Sequence, residues 1–225
     1  MRPTVRTSII AAVVSLGCLA GPACADRAER LRIVTFSPAL TRICFDMGLG
    51  DQIVGVTRYC RLPDGVELPR VGDQQTVVTE LILAVNPDLI ITQSPPDRFD
   101  GVVKASPDVT VAQIPIDTLD EVSIAIDRIG QLVGQPELAA TYKAFFQARL
   151  AAVRRRVADK PQPHVLFAMG TERPYTGGRN SFIHDIIEVA GGVNAGADVP
   201  GETIWRMTDI EAIVAVAPDV VVCYV

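Results

Sequence analysis

Two glutamates, Glu80 and Glu211, stand 131 residues apart at the head of the same phrase. The first opens Glu80-Leu81-Ile82-Leu83-Ala84-Val85-Asn86-Pro87-Asp88; the second opens Glu211-Ala212-Ile213-Val214-Ala215-Val216-Ala217-Pro218-Asp219. In one register they share Glu, Ile, Ala, Val, Pro and Asp, then an apolar run. A carboxylate at the start of a helix is favoured by the helix dipole. A matched carboxylate in each of two repeated units can also meet a basic surface presented twice. Trp205, the sole tryptophan, lies six residues before Glu211, and Gln74 lies six before Glu80. The repeat therefore gives Gln74 and Trp205 equivalent places. Trp205 reads as a loop residue, either anchoring that loop or offering a flat face to a large planar molecule. Tyr59 and Tyr175 read as loop residues beyond strands. After Tyr175, Gly177-Gly178 would let a bound molecule approach the backbone closely. Arg58, Arg98, Arg173 and Arg206 fall on the same predicted edge. Each alone reads as a solvated surface residue; together they suit carboxylate or phosphate groups.

Catalytic patterns are missing from the chain. There is no G-x-S-x-G, no phosphate-cradling glycine loop and no dinucleotide fingerprint. His164 and His184 are far apart in the sequence, and no Cys/His spacing marks a metal site. The expectation is a binding protein with no catalytic residue, no metal and no cofactor of its own.

Residues 1–25 read as an export signal: Arg2 and Arg6, an apolar stretch over residues 9–20, then Ala23-Cys24-Ala25 as the cleavage site. That stretch is too short to span a bilayer. Lipid attachment at Cys18 is the competing expectation; Ser15, where lipoprotein signals usually carry Leu, favours cleavage after Ala25. Removing residues 1–25 takes away two Arg and no acid, leaving 19 Lys+Arg against 26 Asp+Glu, a net charge of −7. An acidic chain is a poor partner for nucleic acid. Export to the periplasm also removes ATP-dependent chemistry from consideration. Of the remaining cysteines, Cys44 and Cys223 read as small buried hydrophobes, and Cys60 follows Tyr59 in a loop.

The elements that must position these residues follow from hydrophobic period and punctuation. Strands are expected over residues 31–36, 52–57, 89–92, 109–114 and 164–169. Helices are expected after Ser37-Pro38, over 79–85, 97–106, 119–132, 137–157, 181–190 and 208–216. The βαβαβ order predicts a parallel sheet with covering helices. Parallel sheets hold ligands beyond their strand carboxyl ends. Here those ends offer Ser37, residues 57–60, Gln93-Ser94 and residues 171–178. The expected fold class is α/β: two Rossmann-like lobes, 26–136 and 159–225, joined by one long α-helix at 137–158. The chain stops within the second repeat's strand, so the second lobe is expected to be incomplete and to leave an apolar strand uncovered.

The chain resembles the periplasmic cobalamin- and iron-siderophore-binding components of ABC importers, the helical-backbone class of solute-binding proteins. The carrying residues are Arg32-Ile33-Val34-Thr35-Phe36-Ser37-Pro38-Ala39-Leu40-Thr41, Gly48-Leu49-Gly50-Asp51, Val54-Gly55-Val56-Thr57 and Leu68-Pro69-Arg70-Val71-Gly72. The Glu80 phrase and residues 182–194, with Ala190-Gly191-Gly192, continue it. The resemblance implies capture of a bulky metal chelate (cobalamin, ferric siderophore or haem) in an inter-lobe cleft and delivery to a dimeric permease at the inner membrane. It places Tyr59, Gln74, Gln93, Tyr175 and Trp205 at the ligand, and the predicted edge adds Arg206. Gln74 and Gln93 stand where the cobalamin binders have Trp. It also places Glu80 and Glu211 as the pair that contacts permease arginines. Two other classes compete. A metal-ion-binding protein of a related importer class would need converging His and acids. An exported enzyme on a similar two-lobe fold would need Cys ligands in the cleft, and only Cys60 qualifies.

Overall fold

Four short parallel strands form the first sheet of the computed structural model, which describes residues 30–170, 173–199 and 204–224. The expected export signal and Cys18 lie outside the described residues. The strands are β1 (Ile33–Phe36), β2 (Ile53–Val56), β3 (Leu89–Thr92) and β4 (Thr110–Gln113), in the order β2-β1-β3-β4. Strands β1 and β3 are buried along their whole length and pair in register, Ile33 with Leu89 and Phe36 with Thr92. Alternation sends their side chains to two faces. Ile33, Leu89 and Ile91 join one apolar cluster with Leu40, Ile126, Ile129 and Ala139. Val34, Phe36 and Ile90 join the other with Ile82, Phe99 and Val102. Phe36 and Phe99 meet edge to face at 5.0 Å.

The helices on those faces are α1 (Pro38–Asp46), α2 (Thr79–Ala84), α3 (Asp100–Ala105) and α4 (Leu119–Leu132). Their starts are written locally. Pro38 opens α1 and the Ser37 hydroxyl accepts from Leu40 N. Thr118 and Glu121 close a reciprocal capping box on α4.

Helix α5 (Pro136–Val157) has 22 residues, about 33 Å of rise. It lies against α4 where Gly130 faces Ala139; a Cβ on Gly130 would sit 2.3 Å from the Ala139 Cβ. Lys143 Nζ to Asp127 Oδ2, at 2.6 Å, ties the same two helices. Of α5's own residues only Ala139 is buried. The stripe of Tyr142, Phe145, Phe146 and Leu150 instead lines an open groove of about 830 Å³ against α1, and Phe145 is exposed.

After α5 comes a second sheet: β5 (His164–Met169), β6 (Tyr175–Gly177), β7 (Val193–Asn194), β8 (Trp205–Met207) and β9 (Val220–Tyr224). Strands β7 and β9 run parallel to β5. The pairs β5–β6 and β6–β8 are antiparallel. Helix α6 (Phe182–Val189) is capped by the Ser181 hydroxyl, and α7 (Ile210–Ala215) by the Asp209 carboxylate. Leu166, Ala195 and Val199 form the small core here, with Ile213 and Val216 against it. Leu119 N, at the start of α4, donates to Asp185 Oδ2 of α6 at 2.7 Å. Leu31–Val225 thus make one compact unit.

Two expectations need correction. Tyr175 and Trp205 lie on strands β6 and β8, not in loops. These strands are three residues long, too short for a period-2 pattern, and only their pairing defines them. Cys223 is exposed rather than buried, because every residue of β9 is exposed. Between β2 and α2, Val56 bridges to Arg70 and Gly72 to Val77.

Candidate ligand-binding edge and repeated helix starts

The carboxyl ends of the first sheet are built by hydroxyls, amides and one thiol. Ser37, which caps α1, also accepts from Gln93 Nε2 at 3.0 Å. Gln93 follows β3, so this bond joins two neighbouring strand ends. Gln113 Nε2, at the end of β4, donates to Gln93 O at 3.3 Å. Cys60 Sγ is buried between Thr57 Oγ1 at 3.0 Å and Thr41 Oγ1 at 3.1 Å. The Arg70 guanidinium holds the same loop, donating to Thr57 O at 2.9 Å and Cys60 O at 2.8 Å.

That bracing leaves Tyr59 at the rim, 65% exposed. Arg58 lies over its ring, Cζ 5.2 Å from the centroid, and pairs with Asp73. Asp73 is buried, at 4% exposure. Its carboxylate accepts from Gln75 N and Thr76 N, each at 2.8 Å. The bond from Gln75 N, with those from Arg58 and Thr76 N, holds the Asp73 carboxyl below the usual carboxylate range against the opposing effect of burial. Gln74 is exposed at the tip of this turn, and its carbonyl accepts from Arg98. Asp73 was not singled out from the sequence, although Gly72-Asp73 is a turn signal.

On the second sheet, Tyr175 pairs with Met207 and Gly177 with Trp205. Alternation therefore puts Tyr175 and Trp205 on one face of the ladder and Thr176 and Arg206 on the other. Tyr175 is 43% exposed. Trp205 is half-buried and meets Phe182 edge-on at 5.6 Å. The Arg206 guanidinium turns inward: Nη1 donates to Ala197 O at 3.0 Å and also to Val199 O. Its position next to Trp205 in the sequence does not bring it to the same face. Arg173 is exposed just before β6.

Glu80 and Glu211 each occupy the first turn of their helix, α2 and α7, and both are exposed. Among the described residues, no cluster of three or more His, Cys, Asp or Glu could hold a metal ion. Among the same residues, no helix is long and apolar enough to cross a membrane.

Parallel strands with an aromatic and polar rim at their carboxyl ends describe a binding protein, and the comparisons agree. Residues 33–225 match the profile of the periplasmic binding protein family, and the chain belongs to that family. It is 30% identical over 195 residues to the vitamin B12-binding protein of Vibrio cholerae serotype O1, covering 84% of this chain and 69% of that one. Among solved structures it is similar to the periplasmic heme-binding protein RhuT from Roseiflexus sp. RS-1: TM-score 0.75, 31% identity, 86% of this chain and 76% of that one. It is also similar to the periplasmic vitamin B12 binding protein BtuF of Vibrio cholerae: TM-score 0.72, 27% identity, 87% of this chain and 76% of that one. The family and these relatives are binding proteins by description.

Proposed function

We propose that this chain is the substrate-binding component of an ABC importer. It captures a bulky metal chelate (cobalamin, a ferric siderophore or haem) in the periplasm and delivers it to a dimeric permease. In this reading the two sheets are the cores of two Rossmann-like lobes, α5 joins them, and the chelate lies in the cleft between. Tyr59, Gln74 and Gln93 serve it from the first lobe, Tyr175 and Trp205 from the second. Arg206 acts indirectly, by bracing the strand that carries Trp205. Glu80 and Glu211 face the permease, one for each subunit.

The observation that carries this reading is the pair of exposed aromatic rims, Tyr59 beyond β2 and Tyr175 on β6 beside Trp205. Exposed aromatic faces cost solvation unless a flat partner covers them. The B12- and heme-binding relatives support a chelate of that shape. Trp205 is the sole tryptophan, so its fluorescence reports the site directly. Titration with cyanocobalamin, iron protoporphyrin IX and a ferric hydroxamate siderophore should give saturable quenching with at least one. Absence of quenching and of any absorbance change with all three would sink the proposal.

A further inference from the structure

A single tight turn holds two guanidiniums on the first sheet's carboxyl edge. Residues 73–76 close on themselves, Asp73 N donating to Thr76 O at 2.8 Å and Thr76 N to Asp73 O at 3.2 Å. Gly72 enters the turn at φ +142, where a Cβ would meet Thr76 O at 2.3 Å, so this geometry requires glycine. The Asp73 carboxylate grips Arg58 from one residue of the turn. The Gln74 carbonyl grips Arg98 from the next. Arg98 also reaches the Ser94 hydroxyl beyond β3, at 3.4 Å. Arg58 N donates to Gly72 O at 3.0 Å, fixing its backbone to the same turn.

The charges at this turn do not balance. Among the described residues Asp73 is the one carboxylate bonded there, and it already serves two backbone amides besides Arg58. Arg98 is bonded to a carbonyl and a hydroxyl, and among the described residues it has no acidic partner. The Arg58 side chain is 61% exposed, so most of its five N–H groups remain available. Asp97 and Asp100 flank Arg98 in the chain without an ion pair to it, so among the described residues the two guanidiniums share a single paired carboxylate. A pinned guanidinium loses little freedom when it takes up an anion, so its bond is preorganised. Arg58 lies over the Tyr59 ring, so these guanidiniums border the aromatic rim of the candidate site.

We propose that Arg58 and Arg98, held on the turn 73–76, form an anion clamp. It selects metal chelates bearing a peripheral carboxylate or similar anionic group over their neutral counterparts. The inference rests on the chelate-binding reading above and adds the charge class of the ligand.

The test compares matched pairs of probes. One pair is iron protoporphyrin IX and its dimethyl ester; the other is cyanocobalamin and its derivative with one side-chain amide hydrolysed to the acid. The wild-type chain should bind the acid member of a pair about tenfold more tightly, with the ratio shrinking as salt rises. In Arg58→Gln with Arg98→Gln the ratio should fall to near one, and each single variant should lower it. Asp73→Asn, which keeps both arginines but loosens Arg58, should also lower it. Equal wild-type affinity for both members of each bound pair overturns the clamp and leaves the chelate reading standing. A ratio unchanged in both single variants overturns it as well. Binding of none of the four probes overturns the chelate reading itself.

Discussion

Asp88 and Asp219 make the same pair of bonds in the two sheets. Asp88 Oδ2 accepts from Arg32 N at 2.7 Å and Asp88 N donates to Arg32 O at 2.8 Å. Asp219 Oδ2 accepts from His164 N at 2.8 Å and Asp219 N donates to His164 O at 2.8 Å. Each Asp therefore pins the residue at the head of its sheet's first strand, just before β1 in one case and opening β5 in the other. The residues two before them, Asn86 and Ala217, both adopt positive φ, at 42° and 44°. Those φ values are uncommon for residues with a Cβ, and each repeat holds one at the same place, just before its proline. The repeat is thus a matched piece of geometry, and it gives Glu80 and Glu211 equivalent places eight residues upstream.

Removing either Asp side chain should weaken its own sheet. Asp88→Ala and Asp219→Ala are each expected to cost about 1 kcal/mol, the usual net worth of such a bond. Urea unfolding measures this. No loss in either variant would show that backbone bonding alone sets the strand heads.

Acid should release the Arg58 turn. Asp73 has a depressed carboxyl pKa in the fold, with the Gln75 amide as the leading cause. Its stabilising contribution is complete above the ordinary carboxylate pKa of about 4 and is lost as pH falls through the lower folded value. The unfolding midpoint of the wild-type chain should therefore drop on acidification below about pH 4 more steeply than that of Asp73→Asn. Parallel curves would contradict the assignment.

The three described cysteines should differ in reactivity. Cys44 is buried in the first core, and burial pushes its thiol up to about 12. Cys60 is buried between two threonine hydroxyls, and Cys223 is exposed. Iodoacetamide at neutral pH should label Cys223 first in the native chain, as read by peptide mass spectrometry. Cys44 labelling at a similar rate would refute this packing.

Trp205→Ala and Tyr175→Ala should each weaken chelate binding. A stacked aromatic carries about 1 kcal/mol or more, so roughly fivefold or greater losses are expected. Unchanged affinity in both variants, measured by absorbance titration, would remove this face of β6 and β8 from the site.

Charge reversal at the repeated helix starts should separate delivery from capture. Glu80→Arg with Glu211→Arg is expected to abolish transport and salt-sensitive docking to the permease in nanodiscs, with chelate affinity retained. Exposed single ion pairs are weak, about 0–1 kcal/mol, but desolvated pairs at an interface are worth more. Transport that survives the double reversal would reduce the two residues to helix-start carboxylates repeated by duplication.

The sequence by itself determined the longer local elements. Residues 89–92 and 119–132 were legible to the residue as β3 and α4, because hydrophobic period and punctuation are local signals. The two glutamates were legible as a pair because the repeat prints them twice. Only the tertiary structure decided what Tyr175, Trp205 and Arg206 face, because strands of three residues are defined by their partners rather than by their own pattern. The same holds for Arg58 and Arg98, which lie 40 residues apart in the chain. Their meeting depends on one turn, folded around Gly72 and Asp73, that brings the ends of β2 and β3 to the same two peptide units. Sequence spacing cannot encode that contact, since the chain between them carries a helix and a strand whose packing sets the distance.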